Sequence, residues 1–238
     1  MIVRQSCENC NALQKSFFDK LDKSDLNTLN LKKNCNLYKK EKTIFCAGTR
    51  PSGIYCLNQG KVKIFKYGSF GKEQIIRFVM PGELFGLRAL LSDRNYNSTA
   101  TVLEDSVVCT INKINFFDIL NKYPQIATRI MAALSQLLED ADNKITSLAQ
   151  KPVRERLAES LLILKKTFHG EIDNGYTDHS NLTISLTRKD IANIVGTSTE
   201  TVIRLLSEFK KDNLITIKGR KITLRDIKGL MRVGNIYE

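Results

Sequence analysis

The sequence lacks the features of a membrane protein, a secreted protein or a recognisable enzyme. No stretch approaches the roughly 18 consecutive apolar residues of a membrane-spanning helix, and the first residues, MIVRQSCENCN, lack the apolar core of a signal peptide. No Ser-His-Asp triad, carboxylate pair or phosphate-binding loop stands out. We therefore expect a cytoplasmic protein with no membrane partner. The only catalytic alternative is a thiol-disulfide redox enzyme built on Cys7 and Cys10.

The charge of the chain is strongly positive. Lys and Arg number 37 against 25 Asp and Glu, which gives a formal net charge of +12. A basic excess fits a protein that binds a polyanion, although lysines also serve solubilising surfaces. The 238 residues are enough for two domains, and 42% hydrophobic residues is an ordinary globular composition.

Residues 186–224, LTRKDIANIVGTSTETVIRLLSEFKKDNLITIKGRKITL, carry two helical patterns around a glycine turn, followed by a strand-turn-strand. Thr187 stands where the first helix needs an N-cap, Gly196 ends that helix, and Thr197 or Ser198 caps the second. The second helix is expected to bury its apolar positions, which are Val202, Ile203, Leu205, Leu206 and Phe209. This order predicts a winged helix-turn-helix that binds double-stranded DNA.

The second helix of this motif carries side chains that can read bases. A carboxylate such as Glu200 can accept from the cytosine amino group, and Arg204 can bind guanine through two hydrogen bonds. The two residues lie four apart, a spacing that also forms ordinary ion pairs on solvated helices. The turn and the basic strand pair that follow favour DNA, with Lys218 and Lys221 expected at the DNA backbone.

The remaining chain predicts a β region followed by a long helix. From about residue 39 to residue 111, short strands alternate with glycine turns, as in a β-sandwich or barrel. Residues 125–150 contain no glycine or proline and form a long amphipathic helix whose stripe resembles a two-stranded seam. The stripe predicted to form a dimer interface comprises Ile126, Ile130, Leu134, Leu137, Ala141, Ile145 and Leu148.

The segment TRKDIANIVGTSTETVIRLL resembles the DNA-binding domain of the cyclic-AMP receptor protein and fumarate-nitrate regulator (CRP/FNR) family. KKEKTIFCAGTRPSGIYCLNQGKVKIF and MPGELFGLRALL resemble the cyclic-nucleotide-binding β-roll of its sensor half. The small β-branched Thr199 is more similar to the fumarate-nitrate branch. The resemblance implies an α+β fold with three parts: an N-terminal extension plus β-roll sensor domain (1–124), a dimerisation helix (125–150) and a winged helix-turn-helix domain (151–238).

The family resemblance also implies how DNA is read. A homodimeric transcriptional regulator would bind a palindrome with TGA-containing half-sites and contact RNA polymerase. Thr199, Glu200 and Arg204 would read bases. The residues that would contact the DNA backbone are Thr187, Arg188, Ser198 and Thr201, besides the lysines of the wing.

The phosphate cassette of the sensor half departs from nucleotide-binding members of the family. Leu87 replaces the glutamate after Phe-Gly, and Ser98 replaces the arginine about ten residues later. Arg88 and Arg94 lie nearby but out of register. Because a buried cyclic phosphate needs a charged partner, cyclic AMP is not the expected effector.

The cysteines offer a different input. Cys7 and Cys10 form a C-x-x-C pair, a spacing that can bring two thiolates to one metal or iron-sulfur cluster. Cys109 matches the distant ligand of the oxygen-sensing branch, whereas Ser16 replaces another of its cysteines. The resemblance therefore implies a possible iron-sulfur cluster that senses redox state, oxygen or nitric oxide. The candidates for a fourth ligand are Cys35, Cys46, Cys56, Ser16, Asp19 and Asp22.

Several alternatives remain open at this level. Cys7 and Cys10 could form a reversible thiol switch instead of binding metal, and the sensor could be degenerate or bind an unidentified small molecule. Cys46 and Cys56 fit the role of small hydrophobic residues. A disulfide framework is not expected in a reducing compartment. Haem bound through histidine is disfavoured, since the two histidines, His169 and His179, lie in the C-terminal domain.

Overall fold

A computed structural model describes residues 6–169 and 183–236, so that His179 lies outside the described residues. The chain divides into two compact units, Met1–Leu138 and Glu139–Glu238. The boundary falls inside a long helix, and the division at residues 124 and 150 stays a prediction. Within the described ranges, no helix combines the length and apolarity needed to cross a membrane.

Two antiparallel four-stranded sheets form the first unit, as expected for a β-roll. One sheet has the order β1 (Lys33–Tyr38), β8 (Ser106–Asn112), β3 (Gly53–Gln59), β6 (Leu84–Phe85). The other has the order β2 (Thr43–Phe45), β7 (Thr99–Val102), β4 (Val62–Tyr67), β5 (Glu73–Val79). Their inner faces pack an aromatic-rich core in which the rings of Phe45 and Tyr96 stack 3.9 Å apart.

A second core forms on the outer face of the first sheet. It joins the N-terminal segment to helices α1 (Lys23–Leu31), α2 (Leu87–Leu91), α3 (Lys113–Lys122) and the start of α4 (Pro124–Gln150). Because side chains alternate along a strand, Ile54 of β3 belongs to this core while Tyr55 belongs to the inner one. The N-terminal segment is therefore packed directly against the sheet.

Two helices follow the β-roll. Helix α3 begins at Lys113, because the Asn112 side chain accepts the backbone N–H of Asn115 at 2.8 Å and caps it. Helix α4 begins at Pro124, whose fixed φ suits the first helical position. Its 27 residues confirm the long helix predicted from the glycine-free and proline-free stretch.

The second unit has the predicted winged helix-turn-helix architecture. After α5 (Val153–His169) come β9 (Thr183–Ser185), α6 (Arg188–Val195) and α7 (Thr199–Lys211). Strands β10 (Ile215–Lys218) and β11 (Lys221–Leu224) form the wing, with the sheet order β10-β11-β9, before α8 (Ile227–Val233). The fully buried side chains at the centre include Leu157, Leu161, Ile191, Val195, Val202, Phe209 and Leu230.

Candidate nucleic-acid interface and cysteine cavity

Two side-chain caps and one glycine set the helix-turn-helix. The Thr187 hydroxyl accepts the backbone N–H of Asp190 at 3.0 Å and donates to its carboxylate at 2.6 Å, which fixes the start of α6. Gly196 ends α6 in the left-handed region, with φ of 75°. Ser198, rather than Thr197, caps α7 by accepting the N–H of Thr201 at 3.1 Å. The turn between the helices is thus defined by local sequence.

Helix α7 has one buried face and one exposed face. Val202, Leu205, Leu206 and Phe209 are buried as predicted. Ile203 is 50% exposed, so the expectation that it would be buried was wrong. It lies on the outer face with Glu200 and Arg204, because residues three and four apart share a face of a helix.

The predicted base-reading residues Glu200 and Arg204 are both exposed, and Arg204 forms an ion pair with a residue other than Glu200. Arg204 Nη1 lies 2.5 Å from Glu208 Oε1, one turn further along α7. The Glu200 carboxylate accepts from its own backbone N–H and from the Ser198 hydroxyl, and these hydrogen bonds lower its pKa. Glu200 therefore stays ionised at neutral pH and can accept from a donor outside the chain.

The wing projects three basic residues. Gly219 has a φ of 59° at the tip, and Lys218, Arg220 and Lys221 around it are exposed. Arg188 of α6 donates to the Gly219 carbonyl at 3.1 Å, so it fastens the wing to the helix-turn-helix. The hydroxyl of Thr187 is engaged in its cap. Thr187 and Arg188, which were predicted to contact the DNA backbone, therefore also hold the helix-turn-helix and the wing together.

Three cysteines form a row across the first sheet. Cys109 of β8 pairs directly with Cys35 of β1 on one side and with Cys56 of β3 on the other. Directly paired residues of antiparallel strands point to the same face of a sheet. Cys35 and Cys109 form a disulfide, with their Cα atoms 3.9 Å apart. The expectation of free thiols was thus wrong for this pair, because strand pairing brings residues 74 apart into contact.

A small cavity of about 30 Å³ lies over this row, between the sheet and the N-terminal segment. Four cysteines line it: Cys7, Cys10, Cys56 and Cys109. The sequence favoured a hydrophobic role for Cys56 while leaving it among six candidates for a fourth ligand, and only the pairing of β3 with β8 reveals its place beside Cys109. Cys46 is exposed and does not line the cavity.

Polar contacts surround the N-terminal thiols. Lys33 Nζ donates to Cys7 Sγ at 2.9 Å, and Asn58 Nδ2 donates to Cys10 Sγ at 3.0 Å. Burial raises the pKa of Cys7 although Lys33 opposes this shift, and burial raises the pKa of Cys56 to about 12. Both are therefore neutral thiols near pH 7 and must lose a proton before they can bind a metal.

The oxygen side chains considered as ligands have other roles. Ser16 lines the cavity, but its hydroxyl accepts the N–H of Phe18 at 3.1 Å. Asp19 forms an ion pair with Arg129 at 2.5 Å, and Asp22 caps α1. Among the described residues, no three His, Cys, Asp or Glu side chains are arranged to hold a metal ion. In an iron-sulfur cluster each thiolate binds its own iron, and the four cysteines among the lining residues are the type of donor that such clusters use.

The segment that bears the first two cysteines is joined to helix α4 through Arg129. Its guanidinium donates to the carbonyls of Ser16 and Phe17 at 3.2 and 3.1 Å and pairs with Asp19. It also lies over the Phe17 ring, 5.7 Å from the centroid. Bidentate and charge-assisted contacts of this kind fix both distance and orientation. Arg129 therefore fixes the position of the N-terminal segment relative to the start of α4.

The cassette positions differ in burial. Leu87 is buried in the outer core, and Ser98 is half-buried just before β7. Arg88 and Arg94 are exposed, and Arg88 donates to the side chain of Asn97 at 3.0 Å. At the two cassette positions, the residues present thus offer an apolar group and a hydroxyl in place of a charged pair.

Helix α4 presents an apolar face that differs from the predicted one. Ile126 and Ile130 are buried in the outer core at 2% exposure, so they are not available to a partner helix. Met131, Leu138 and Ile145 recur every seven residues and are exposed. Each is followed three residues later by another apolar residue, Leu134, Ala141 or Leu148, which gives the alternating three- and four-residue spacing of a coiled-coil seam. We call these six residues the α4 seam; Leu137 lies beside it, half-buried.

Comparison with known families matches both units. A family described as "Cyclic nucleotide-binding domain" matches residues 36–123, and one described as "Crp-like helix-turn-helix domain" matches residues 155–233. The first range covers most of the β-roll, and the second contains α6, α7 and the wing.

Full-length relatives agree with these matches. The chain is 30% identical over 219 residues to "Regulatory protein HlyX" of Actinobacillus pleuropneumoniae, covering 92% of this chain and 89% of that protein. It is 29% identical over 231 residues to the "Fumarate and nitrate reduction regulatory protein" of Vibrio cholerae serotype O1, covering 97% and 90%. The structure of FixK2 from Bradyrhizobium japonicum superposes with a TM-score of 0.72 at 25% identity, covering 84% and 96%.

Proposed function

The chain belongs to the CRP/FNR family of DNA-binding transcriptional regulators, and on this premise we propose that it is a homodimeric regulator with a thiol-based redox input. It is a regulator of the fumarate-nitrate type rather than an enzyme. We propose further that it is cytoplasmic, binds a palindrome with TGA-containing half-sites and contacts RNA polymerase. The observation that carries the DNA part is the exposed face of α7.

Base reading follows from the side chains on that face. Glu200 is ionised and exposed, and suits the cytosine amino group, while Arg204 can leave its exposed ion pair with Glu208 to bind guanine. Exposed ion pairs of this kind contribute only about 0 to 1 kcal/mol, so breaking one costs little. Ile203 offers an apolar surface for a thymine methyl group. Thr199, half-buried at the start of α7, is the fourth reader.

The test of base reading is binding to matched duplexes. Glu200→Ala and Arg204→Ala should each weaken binding to the TGA palindrome by about 1 to 3 kcal/mol and relax specificity at one base pair. Lys218→Ala is the control, because a backbone contact should weaken binding to every duplex alike. Uniform small losses from the first two variants, equal on cognate and scrambled duplexes, would contradict base reading by α7.

Dimerisation is proposed to use the α4 seam. Exposure of large apolar side chains to water is unfavourable. Because those of the seam recur at heptad spacing, a parallel partner helix would cover them in register. A two-fold dimer then presents two copies of α7 to the two halves of a palindrome. Ile126 and Ile130 instead pack in the core between α4 and the first sheet of the same protomer.

The proposed redox input is the cysteine cavity. Its thiols fit an iron-sulfur cluster, which Cys7, Cys10 and Cys109 would hold and which, when bound, would supply reactivity toward oxygen or nitric oxide. Lys33 donates to Cys7 Sγ and would offset the negative charge of the ligating thiolates. Asn58 plays a similar part at Cys10.

Arg129 is proposed to connect this input to the dimer helix. Loss or gain of thiol ligation changes the position of the N-terminal segment, and the Arg129 contacts to Ser16, Phe17 and Asp19 pass that change to α4. Two positions down the helix, Met131 is the first residue of the seam. Arg129 thus contacts the N-terminal segment from the same helix that carries the seam.

A thiol switch without iron is the second candidate, favoured by the disulfide between Cys35 and Cys109. The two thiols lose two electrons and two protons to a peroxide, which is reduced to water or an alcohol and water, and the S–S bond forms. Cys109 cannot ligate a metal while it is in this bond. The two inputs are thus mutually exclusive at one residue.

Iron and acid-labile sulfide analysis separates the two inputs. Protein purified without oxygen that contains both, and whose DNA affinity changes when air removes them, supports the cluster. Protein without iron whose DNA affinity changes with peroxide and is insensitive in Cys35→Ser supports the disulfide. Equal DNA affinity under all these conditions would contradict a redox input of either kind.

A further inference from the structure

We propose that Cys56 is the fourth thiolate of the cysteine cavity and takes the place of the family cysteine that Ser16 replaces. This inference rests on the proposed iron-sulfur input. It concerns a residue that neither the C-x-x-C pair nor the family pattern identifies. The ligand is a cluster of iron and sulfide, and the complete donor set is Cys7, Cys10, Cys56 and Cys109.

The position of Cys56 in the sheet supports this assignment. It lies directly opposite Cys109 in the β3–β8 register, on the face that the N-terminal segment covers. Both side chains line the cavity together with Cys7 and Cys10. Strands that pair in register hold two thiols at a fixed separation without any help from a flexible loop. Two rigid thiols from the sheet thus face two thiols from the N-terminal segment.

The other candidates are excluded by their surroundings. Cys35 is on the far side of Cys109 and does not line the cavity, and Cys46 is exposed. Ser16 does line it, but a hydroxyl that already accepts a backbone N–H is a poor ligand for iron beside a thiolate. By contrast, the contact of the Cys56 thiol with the Gly82 carbonyl is weak, at 4.0 Å. Its sulfur is therefore available.

Proton balance follows from the same surroundings. Four thiols enter the ligated state as thiolates, so uptake of iron and sulfide releases one proton to solvent from each ligating cysteine, including the proton that Cys109 gained on reduction. The ammonium group of Lys33, which contacts Cys7, compensates part of the resulting negative charge. Reduction of the Cys35–Cys109 disulfide by a dithiol, which supplies two electrons and two protons, must come first.

Cluster content of single-cysteine variants tests the assignment. The full-length protein is reduced with a dithiol and reconstituted anaerobically with ferrous iron and sulfide, and iron, acid-labile sulfide and visible absorption are measured per chain. Loss of a group that merely orients a ligand lowers metal affinity roughly 10- to 100-fold, so Cys56→Ser should lose at least as much. Cys46→Ser, Cys35→Ser and Ser16→Ala are matched controls and should load as the unmodified chain does.

The outcomes distinguish this inference from the function on which it rests. If the unmodified chain takes up no iron and sulfide, the proposed cluster fails and the assignment of Cys56 fails with it. If the unmodified chain loads and Cys56→Ser loads equally, only the assignment fails. Loss of loading in Ser16→Ala or Cys35→Ser, with Cys56→Ser intact, would assign the fourth ligand to that residue instead.

Labelling of the unmodified chain guards against a variant that merely misfolds. Reduced protein with and without reconstituted cluster is treated anaerobically with iodoacetamide at an alkaline pH at which Cys56 of the cluster-free protein reacts measurably, and modification of each cysteine is quantified by mass spectrometry. Loading should slow the modification of Cys56 in parallel with Cys7 and Cys10, while Cys46 should react equally in both samples. Modification of Cys56 at the same rate with and without the cluster would overturn the assignment.

Discussion

Leu138 lies at the middle of the α4 seam and provides the sharpest test of dimerisation. Its side chain is 64% exposed in the single chain, so a partner helix would cover most of it. Burying a leucine fully stabilises by about 1.5 to 3 kcal/mol, and part of this side chain is already covered, which leaves about 1 to 2 kcal/mol per copy. A two-fold interface contains the residue twice. Leu138→Ala should therefore weaken the dimer by about 2 to 4 kcal/mol, or roughly 30- to 1,000-fold in dissociation constant.

Sedimentation equilibrium over a range of protein concentrations measures this change directly. Leu31→Ala is the matched control, because Leu31 is 90% exposed at the end of α1 and lies outside the seam. Circular dichroism should show that both variants fold like the unmodified chain, since neither side chain is buried. A dimer dissociation constant unchanged in Leu138→Ala, or weakened equally in Leu31→Ala, would refute the seam.

DNA binding provides a second readout of the same variant. A duplex with a single half-site needs one copy of α7, whereas a palindrome needs two held at fixed spacing. Leu138→Ala should therefore weaken binding to the palindrome and leave binding to the single half-site unchanged. Equal losses on both duplexes would instead indicate damage to the DNA-binding unit.

The remaining predictions concern the cap, the thiols and the connection to α4. Thr187→Ala should lower the free energy of unfolding by about 1 kcal/mol in urea denaturation, whereas Thr197→Ala, outside the cap, should leave it nearly unchanged. In reduced, metal-free protein, burial keeps Cys56 in its neutral form, so its alkylation should be slow near pH 7 and accelerate only as pH rises toward about 12; rapid modification near pH 7 would contradict this. Arg129→Ala should keep the thiols reactive but reduce the difference in DNA affinity between oxidised and reduced protein; an unchanged difference would exclude this residue as the link.

Local sequence was sufficient to predict the DNA-binding unit. Thr187 and Gly196 act on backbone groups within four residues of themselves, so their roles are visible in a single window. Ile203 was assigned to the wrong face because an isoleucine in an amphipathic pattern is usually buried. It is exposed on the face of α7 that we propose contacts DNA, and a binding surface does not follow the rule that apolar residues face the core.

The face of α4 was predicted only in part. The helix has two overlapping apolar stripes, one through Ile126 and Ile130 and one through Leu138 and Ile145. Periodicity detects both, but only the packing of the N-terminal segment and α3 decides which stripe the protomer itself covers.

The cysteine cavity depended on contacts between distant residues. Cys7 and Cys10 lie three positions apart and were identified as a pair, whereas Cys56 and Cys109 are 53 positions apart and meet only through the β3–β8 register. Strand register is set by the whole sheet and cannot be read from either strand alone. The disulfide of Cys35 escaped prediction for the same reason.

Selection of binding sites from random duplex DNA tests the central claim most directly. The full-length protein, reduced and reconstituted without oxygen, and the same protein after exposure to air, would each select from one pool. We predict that a palindrome with TGA half-sites is enriched, and that its enrichment differs between the two samples. Recovery of no symmetric site, or of the same site with equal enrichment from both samples, would contradict a redox-controlled dimeric reader of DNA.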